Sequence, residues 1–246
     1  MNKLLCDTST GDIAILVVFA VALIVILVVY EYYPRWHIRL YGLIFQPNFY
    51  DIEYFSDMKQ LQDNFEAIRE ETKSIPWNIN DIYRPKGVWA TNNDIGPQTK
   101  GFVANNIEIE GWMYAWQTES GTKNNNWLNY PLMFQGTEFK NNLKHCPILH
   151  SILLQHRDKI NVAGLSLMRP NSQINPHRDT TGPRYGSLGY HLGLIVPDPI
   201  KCTLTVNDKI IHQREGHSIV FDPTQLHSAA NKSNTDRIIL YIDFKI

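Results

Sequence analysis

Cys202–Phe221 reads CTLTVNDKIIHQREGHSIVF, and this stretch decides the fold. Two runs, Cys202 to Val206 and Ile210 to Gln213, carry β-type apolar residues and are parted by Asn207-Asp208, while a third, His217 to Phe221, follows Gly216. Period-two alternation puts successive side chains on opposite faces of a strand, and Asn-Asp accepts the positive φ of a tight turn. The stretch is therefore a hairpin followed by another short strand. Outward from it, Val162 to Met168, Tyr190 to Val196 and Arg237 to Phe244 read as strands by the same criterion. Short strands in close succession, parted by turn residues, imply a sandwich or jelly roll.

Toward the N-terminus the period changes. From Ser56 to Ser74 the apolar positions Met58, Leu61, Phe65 and Ile68 recur at helical spacing, Asp57 with Gln60 resembles a capping pair, and Pro76 closes the helix. A second helix is expected from Pro147 to His156, with Pro in its first turn and Ile148, Ile152 and Leu153 on one side. Between them, Trp77 to Asn126 is rich in Trp, Tyr, Gly and Asn, with a β-like run from Ile107 to Tyr114.

Ile13 to Tyr30 is an uncharged apolar run, IAILVVFAVALIVILVVY. As a helix it would reach roughly 27 Å, close to the hydrocarbon thickness of a bilayer. Glu31-Tyr32-Tyr33-Pro34 offers no small-residue cleavage site, so an uncleaved anchor is expected, with Tyr30, Tyr32, Tyr33 and Trp36 in an interfacial belt. Arg35 and Arg39 after the run against Lys3 before it lean slightly toward a cytosolic C-terminal domain. The expected organisation is a tail (1–12), a single transmembrane helix (13–33), a juxtamembrane segment with an amphipathic helix (34–75), and a mainly β jelly-roll domain with flanking helices (76–246).

Composition sets further bounds. The 246 residues carry 23 Lys+Arg against 24 Asp+Glu, a net charge of −1, which leaves no electrostatic excess for a phosphate backbone and excludes nucleic-acid binding by bulk charge. With 43% apolar and 11% aromatic residues the chain can bury a core, which excludes wholesale disorder. Cys6, Cys146 and Cys202 are too few and too scattered for a disulfide framework or a thiolate zinc site. Asn231-Lys232-Ser233 is a glycosylation sequon that could report topology.

The chemistry is concentrated among the strands. His177 and Asp179 stand one residue apart in Asn175-Pro176-His177-Arg178-Asp179, and on an extended backbone both project to one side. Alone, the triplet reads as a turn whose Asp accepts backbone amides. His227, after the β-like run ending at Phe221, would complete two histidines and a carboxylate on one face of an octahedral ion, the ligand set of non-haem iron(II) oxygenases. Arg237 opens an apolar strand and needs an anion: a carboxylate such as Asp222 or Asp236, or the distal carboxylate of 2-oxoglutarate. Trp112, Trp116 and Trp127 serve either core packing or a substrate groove.

Leu165-Ser166-Leu167-Met168-Arg169-Pro170, then Ile174-Asn175-Pro176-His177, Tyr190-His191-Leu192-Gly193-Leu194, and Val220-Phe221-Asp222 with His227 and Arg237, make an ordered series that resembles the aspartyl/asparaginyl β-hydroxylase family. The resemblance runs from about Trp127 to Phe244. It implies a double-stranded β-helix and an iron(II)- and 2-oxoglutarate-dependent dioxygenase, with O2 as the other reactant. It implies that His177 and His227 bind iron, that Ser166 and Arg237 hold the distal carboxylate of 2-oxoglutarate, and that His191 lies near its metal-binding end. Asp179 resembles the carboxylate ligand of the membrane-anchored lipid A 2-hydroxylase branch, whereas the animal peptide hydroxylases have Gly at the matching position. The expected substrate is thus a peptidyl Asp or Asn side chain or a lipid acyl chain near a membrane.

Two features depart from the family pattern. Gly189 stands where Arg usually precedes the His-Leu-Gly-Leu histidine, and the loop 180–186 is longer, with Arg184 as a candidate replacement for the charge. Rivals to the oxygenase reading are a catalytically silent, membrane-tethered jelly-roll module and a cupin-like enzyme that uses another metal without 2-oxoglutarate.

Overall fold

The computed structural model describes residues 10–32, 35–83, 97–115, 124–179 and 186–246. The chain opens with helices α1 (Thr10–Tyr32) and α2 (Trp36–Phe45), a short strand β1 (Phe49–Tyr50), a 3-10 turn, and helices α3 (Ser56–Asp63) and α4 (Phe65–Ser74). Strand β2 (Ile79–Tyr83), helix α5 (Pro97–Asn106), strands β3 (Trp112–Tyr114), β4 (Trp127–Phe134) and β5 (Thr137–Glu138), and helices α6 (Lys140–Leu143) and α7 (Pro147–Gln155) follow. The remainder is β: β6 (Ile160–Met168), β7 (Ser172–His177), β8 (Ser187–Ile195), β9 (Cys202–Val206), β10 (Lys209–His212), β11 (Ser218–Phe221), β12 (His227–Asn231) and β13 (Arg237–Lys245).

These strands form two sheets, a large one ordered β1-β11-β8-β13-β6-β4-β3-β2 with β5 beside β4, and a small one ordered β10-β9-β12-β7. The large sheet is covered on both faces, which is why its central strands read as nearly continuous apolar runs. Along β13, Ile238, Leu240, Ile242 and Phe244 pack into the main core with Met58 and Leu61 of α3, Ile68 of α4 and Leu149 and Leu153 of α7. The intervening Arg237, Ile239, Tyr241 and Asp243 line a cavity that Ile174, Leu204, His227 and Ala229 of the small sheet line as well. The interior between the sheets is thus the only place on β13 where polar side chains accumulate.

Most strand expectations hold within one or two residues, and the 207–208 hairpin pairs Val206 with Lys209 around Asn207 at φ +53°. The Ser56–Ser74 helix is divided at Asn64, whose side-chain amide donates to the Gln60 carbonyl at 2.8 Å and competes with the helical ladder. Asp57 is not a cap. It is buried, pairs with Arg35 and lies 3.6 Å from Lys159 Nζ, which ties the segment after α1 to the body. The β-like run at 107–114 yields a strand only at Trp112–Tyr114, because Gly111 turns the chain at φ +110°. Asn231 is fully buried and its amide donates to the carbonyls of Met168, Arg169 and Thr235, so the sequon is a structural corner, closed to glycosylation in the folded chain.

Among the described residues no helix is long and apolar enough to cross a membrane. In α1 the described side chains run from Ala14 to Val28, fewer than the roughly 20 residues that a span takes, and all are exposed. The expected anchor is therefore not established by the fold.

Candidate metal centre

The small sheet brings the two histidines together by register. β7 ends at His177 and β12 begins at His227, and the two are direct partners across the antiparallel ladder. Their rings lie 4.2 Å apart between centroids. Asp179 follows two residues after β7, its amide donating to the Pro223 carbonyl at 2.8 Å, so it folds back over the same edge. One carboxylate oxygen is 3.8 Å from His177 Nε2 and the other 3.8 Å from His227 Nε2, and one donor atom from each residue falls within 4.8 Å of the others.

Both imidazoles are held from behind in the same way. His177 Nδ1 lies 2.8 Å from the Asn175 carbonyl and His227 Nδ1 3.0 Å from the Gln225 carbonyl. A carbonyl only accepts, so each Nδ1 carries the proton and each Nε2 presents a lone pair toward Asp179, as metal-ligating histidines require. Burial pushes the His227 imidazolium down and the Asp179 carboxylate partly offsets it, which favours the neutral ligand form. The donor set and its orientation fit a divalent transition metal with open positions on the far side.

Arg237 lies on the other wall and is buried, 1% exposed. Its Nη2 donates to Met168 Sδ at 3.1 Å, while Nε and Nη1 have no partner. Neither expected carboxylate reaches it: Asp236 pairs with Arg169 at 2.9 Å, and Asp222 accepts from the Thr224 amide and hydroxyl. Burial alone pulls its pKa down to about 10, so the guanidinium is a cation without an anion inside a cavity. Ser166 is also buried, and its Oγ accepts from Trp127 Nε1 at 2.9 Å, leaving its own proton to donate. Trp127 thus belongs to the cavity wall rather than to the core. Trp112 packs against Trp77 and Tyr130 in the core, and Trp116 lies outside the described residues.

His191 faces the same cavity between Phe221 and Tyr241, with ring centroids at 5.0 and 5.6 Å. Gln213 Nε2 lies 3.3 Å from its Nδ1 and can only donate, so the ring proton sits on Nε2. Burial, then the nearby Arg237 and His227, hold the imidazolium well below its ordinary range and keep the ring neutral. Sequence reasoning had no signal for Gln213, whose buried amide sets this tautomer. Gly189 is explained by space: a Cβ there would meet Phe221 Cε1 at 2.8 Å and Cζ at 2.9 Å. The Phe221 ring thus occupies the space that a side chain at this position would enter, and Arg184 lies outside the described residues.

Comparisons with known proteins give a family and several relatives. Residues 62–246 match the family described as aspartyl/asparaginyl beta-hydroxylase. An uncharacterized protein of Acanthamoeba polyphaga mimivirus is 30% identical over 206 residues, covering 80% of this chain and 70% of its own. The ornithine lipid ester-linked acyl 2-hydroxylase of Rhizobium tropici is 25% identical over 83% of this chain and 62% of its own. The aspartate beta-hydroxylase domain-containing protein 2 of Xenopus tropicalis is 26% identical over 82% of this chain and 49% of its own. The chain therefore spans between about half and 70% of these relatives' lengths. Among solved structures, a predicted oxalate decarboxylase from Thermotoga maritima is 18% identical with a TM-score of 0.31, covering 38% of this chain and 74% of its own. A double-stranded β-helix protein from Klebsiella pneumoniae is 15% identical with a TM-score of 0.27, covering 34% and 66%.

Proposed function

The chain belongs to the aspartyl/asparaginyl β-hydroxylase family, and from that premise we propose that it is a membrane-anchored iron(II)- and 2-oxoglutarate-dependent dioxygenase that hydroxylates a lipid acyl chain. The observation that carries the reading is Arg237, a buried guanidinium with two unpaired N–H groups, in the same cavity as a three-donor metal cluster. A cation so placed calls for an anionic small molecule, and a dicarboxylate that also chelates metal satisfies both ends of the cavity.

In this reading His177, Asp179 and His227 would hold the iron. Arg237 binds the distal carboxylate of 2-oxoglutarate, with Ser166 donating its hydroxyl proton to the same group. His191, neutral and protonated on Nε2, donates to the metal-binding end. Iron(II) with 2-oxoglutarate supplies, when bound, the oxygen chemistry that turns a substrate C–H into C–OH. Phe221, Leu204 and Ile239 give the cavity apolar walls.

The lipid substrate is favoured over a peptidyl Asp or Asn by the N-terminal region. The exposed aliphatics of α1 are followed within four residues by α2, which exposes Trp36, Leu40, Tyr41, Leu43, Ile44 and Phe45. Two successive apolar helices suit a bilayer and its interface, and the small excess of Arg35 and Arg39 over Lys3 supports a cytosolic side for the catalytic domain. Spin labels at Leu23→Cys and Leu43→Cys in the full chain in nanodiscs test this. The first is expected at bilayer-core depth and the second at the headgroup boundary, and water exposure at both would remove the membrane reading.

The catalytic reading is tested by succinate release from 2-oxoglutarate by the full chain with iron(II) and ascorbate. Turnover that disappears in His177→Ala supports it. A silent wild type, with acyl lipids and Asp/Asn peptides both supplied, favours the tethered binding module. Hydroxylation of the peptide alone would move the substrate to the peptide class.

A further inference from the structure

The residues that orient the metal donors do not stop at the matched family region. Two of the three donors are tied to one five-residue loop, 222–226: Asp179 N–H donates to the Pro223 carbonyl at 2.8 Å, and His227 Nδ1 donates to the Gln225 carbonyl at 3.0 Å. That loop is gripped by the chain leaving α2. Gln225 Nε2 donates to the Gln46 carbonyl at 3.2 Å, and the Asp222 amide donates to the Asn48 carbonyl at 3.2 Å. Asn207 Nδ2 bridges the two, donating to Asn48 Oδ1 at 2.9 Å and to Gln225 Oε1 at 2.8 Å. Asn48 Nδ2 donates in turn to the Val206 carbonyl at 3.2 Å, and the Asn207 amide to the Leu226 carbonyl at 2.7 Å. The strand β1 then pairs Phe49 with Phe221 and Tyr50 with Val220, holding the entry to the loop.

These contacts form a closed clamp of side-chain amides. Gln46 and Asn207 both adopt positive φ, at 45° and 53°, a conformation that Asn and, less readily, Gln tolerate and that aims their neighbours into the clamp. We propose that Gln46 to Asn48, Asn207 and Gln225 are positioning residues for the metal centre, so that the segment after α2, outside the matched residues 62–246, is a working part of it. The consequence is physical continuity between the apolar helices and the metal ligands: a displacement of α2 reaches His227 through Gln46, Gln225 and one carbonyl. This rests on the metal reading given above.

The test uses the full chain and cobalt(II) as a metal probe with a visible ligand-field band, without co-substrate or turnover. Asn48→Ala and Gln225→Ala each remove side-chain hydrogen bonds of the clamp while leaving every donor atom in place. Each is expected to weaken cobalt(II) binding by roughly fivefold, the equivalent of one lost hydrogen bond, and to alter the band. The double variant is expected to lose less than the product of the two, because both act through Asn207. Asn48→Asp, which keeps the acceptor for Asn207, is expected to restore part of the affinity. Gln60→Ala is the control, since its amide ties α3 to α7 through Gln155 and His156 behind the large sheet; its affinity and band should match the wild type. Unchanged binding and band in Asn48→Ala and Gln225→Ala would overturn the clamp, as would an equal loss in Gln60→Ala. A wild-type chain with no band, or a band that survives His177→Ala, would instead overturn the metal reading.

Discussion

Arg237→Met should make the ligand-free protein more stable and the co-substrate complex much weaker. In the wild type the guanidinium is 1% exposed, has one contact to a thioether, and leaves Nε and Nη1 unpaired. Burial brings its pKa down from the ordinary guanidinium range to about 10, a displacement equivalent to about 3 kcal/mol against the folded state. A base whose folded pKa is depressed disfavours folding at every pH below the folded value, and the penalty is relieved only as pH rises above about 10. Methionine of similar length removes the charge and keeps the packing, so a gain of about 1–3 kcal/mol is expected at pH 7. In a domain of this size that is roughly 2–10 °C in Tm. A distal carboxylate held by two charge-assisted hydrogen bonds would forfeit about 3–5 kcal/mol, or 10²- to 10³-fold or more in Kd. Thermal shift without ligand and calorimetric titration of 2-oxoglutarate with manganese(II) in place of iron read the two effects separately. A lower Tm together with undiminished 2-oxoglutarate binding would refute the assignment of Arg237 as an anion site.

Three other predictions rest on neighbouring residues. Asp179→Gly should leave the two histidines in place and raise the Kd for cobalt(II) at least tenfold, roughly the loss seen when a metal site is deprived of a supporting group; equal affinity would mean that Asp179 is a turn residue. Gly189→Ala should cost about 1–3 kcal/mol because its Cβ meets the Phe221 ring, and Phe221→Leu should recover part of it in chemical denaturation. In the metal-free protein, His191 is held neutral by burial beside Arg237, so its contribution to stability is present above its ordinary value and is lost as pH falls below about 6.5. His191→Gln should flatten the fall in unfolding free energy below pH 6 by up to about 1.4 kcal/mol per pH unit, read from urea titrations.

The jelly roll was legible from its short β-type runs and the turn residues between them; on β13 Arg237, Tyr241 and Asp243 stand an even number of residues apart and share one face of an otherwise apolar strand. The proximity of His177 and Asp179 was legible from their spacing of two, although Asp179 lies beyond the end of β7 and is turned back over its edge by the bond from its amide to Pro223. β4, β7 and β12 were not expected as strands. β4 carries Pro131, β7 carries Pro176, and β12 is made of small and polar residues, so pairing in the sheet rather than intrinsic preference makes them extended. The division of the Ser56–Ser74 helix rests on one local bond from Asn64 to the Gln60 carbonyl, whereas the role of Asp57 depends on Arg35 and Lys159, which are distant along the chain. Gln213, Asn207 and Gln225 were illegible for a related cause: amides in turns are common, and only the folded arrangement shows which of them stand behind an imidazole.

The central claim is that two imidazoles and a carboxylate share one ferrous ion whose co-substrate is anchored by a buried guanidinium. Anaerobic addition of iron(II) and 2-oxoglutarate to the full chain tests it directly through the visible charge-transfer band of the chelate. A band is expected in the wild type, none in His227→Ala, and one in Arg237→Met only at far higher 2-oxoglutarate. No band in the wild type, or an undiminished one in His227→Ala, would contradict it.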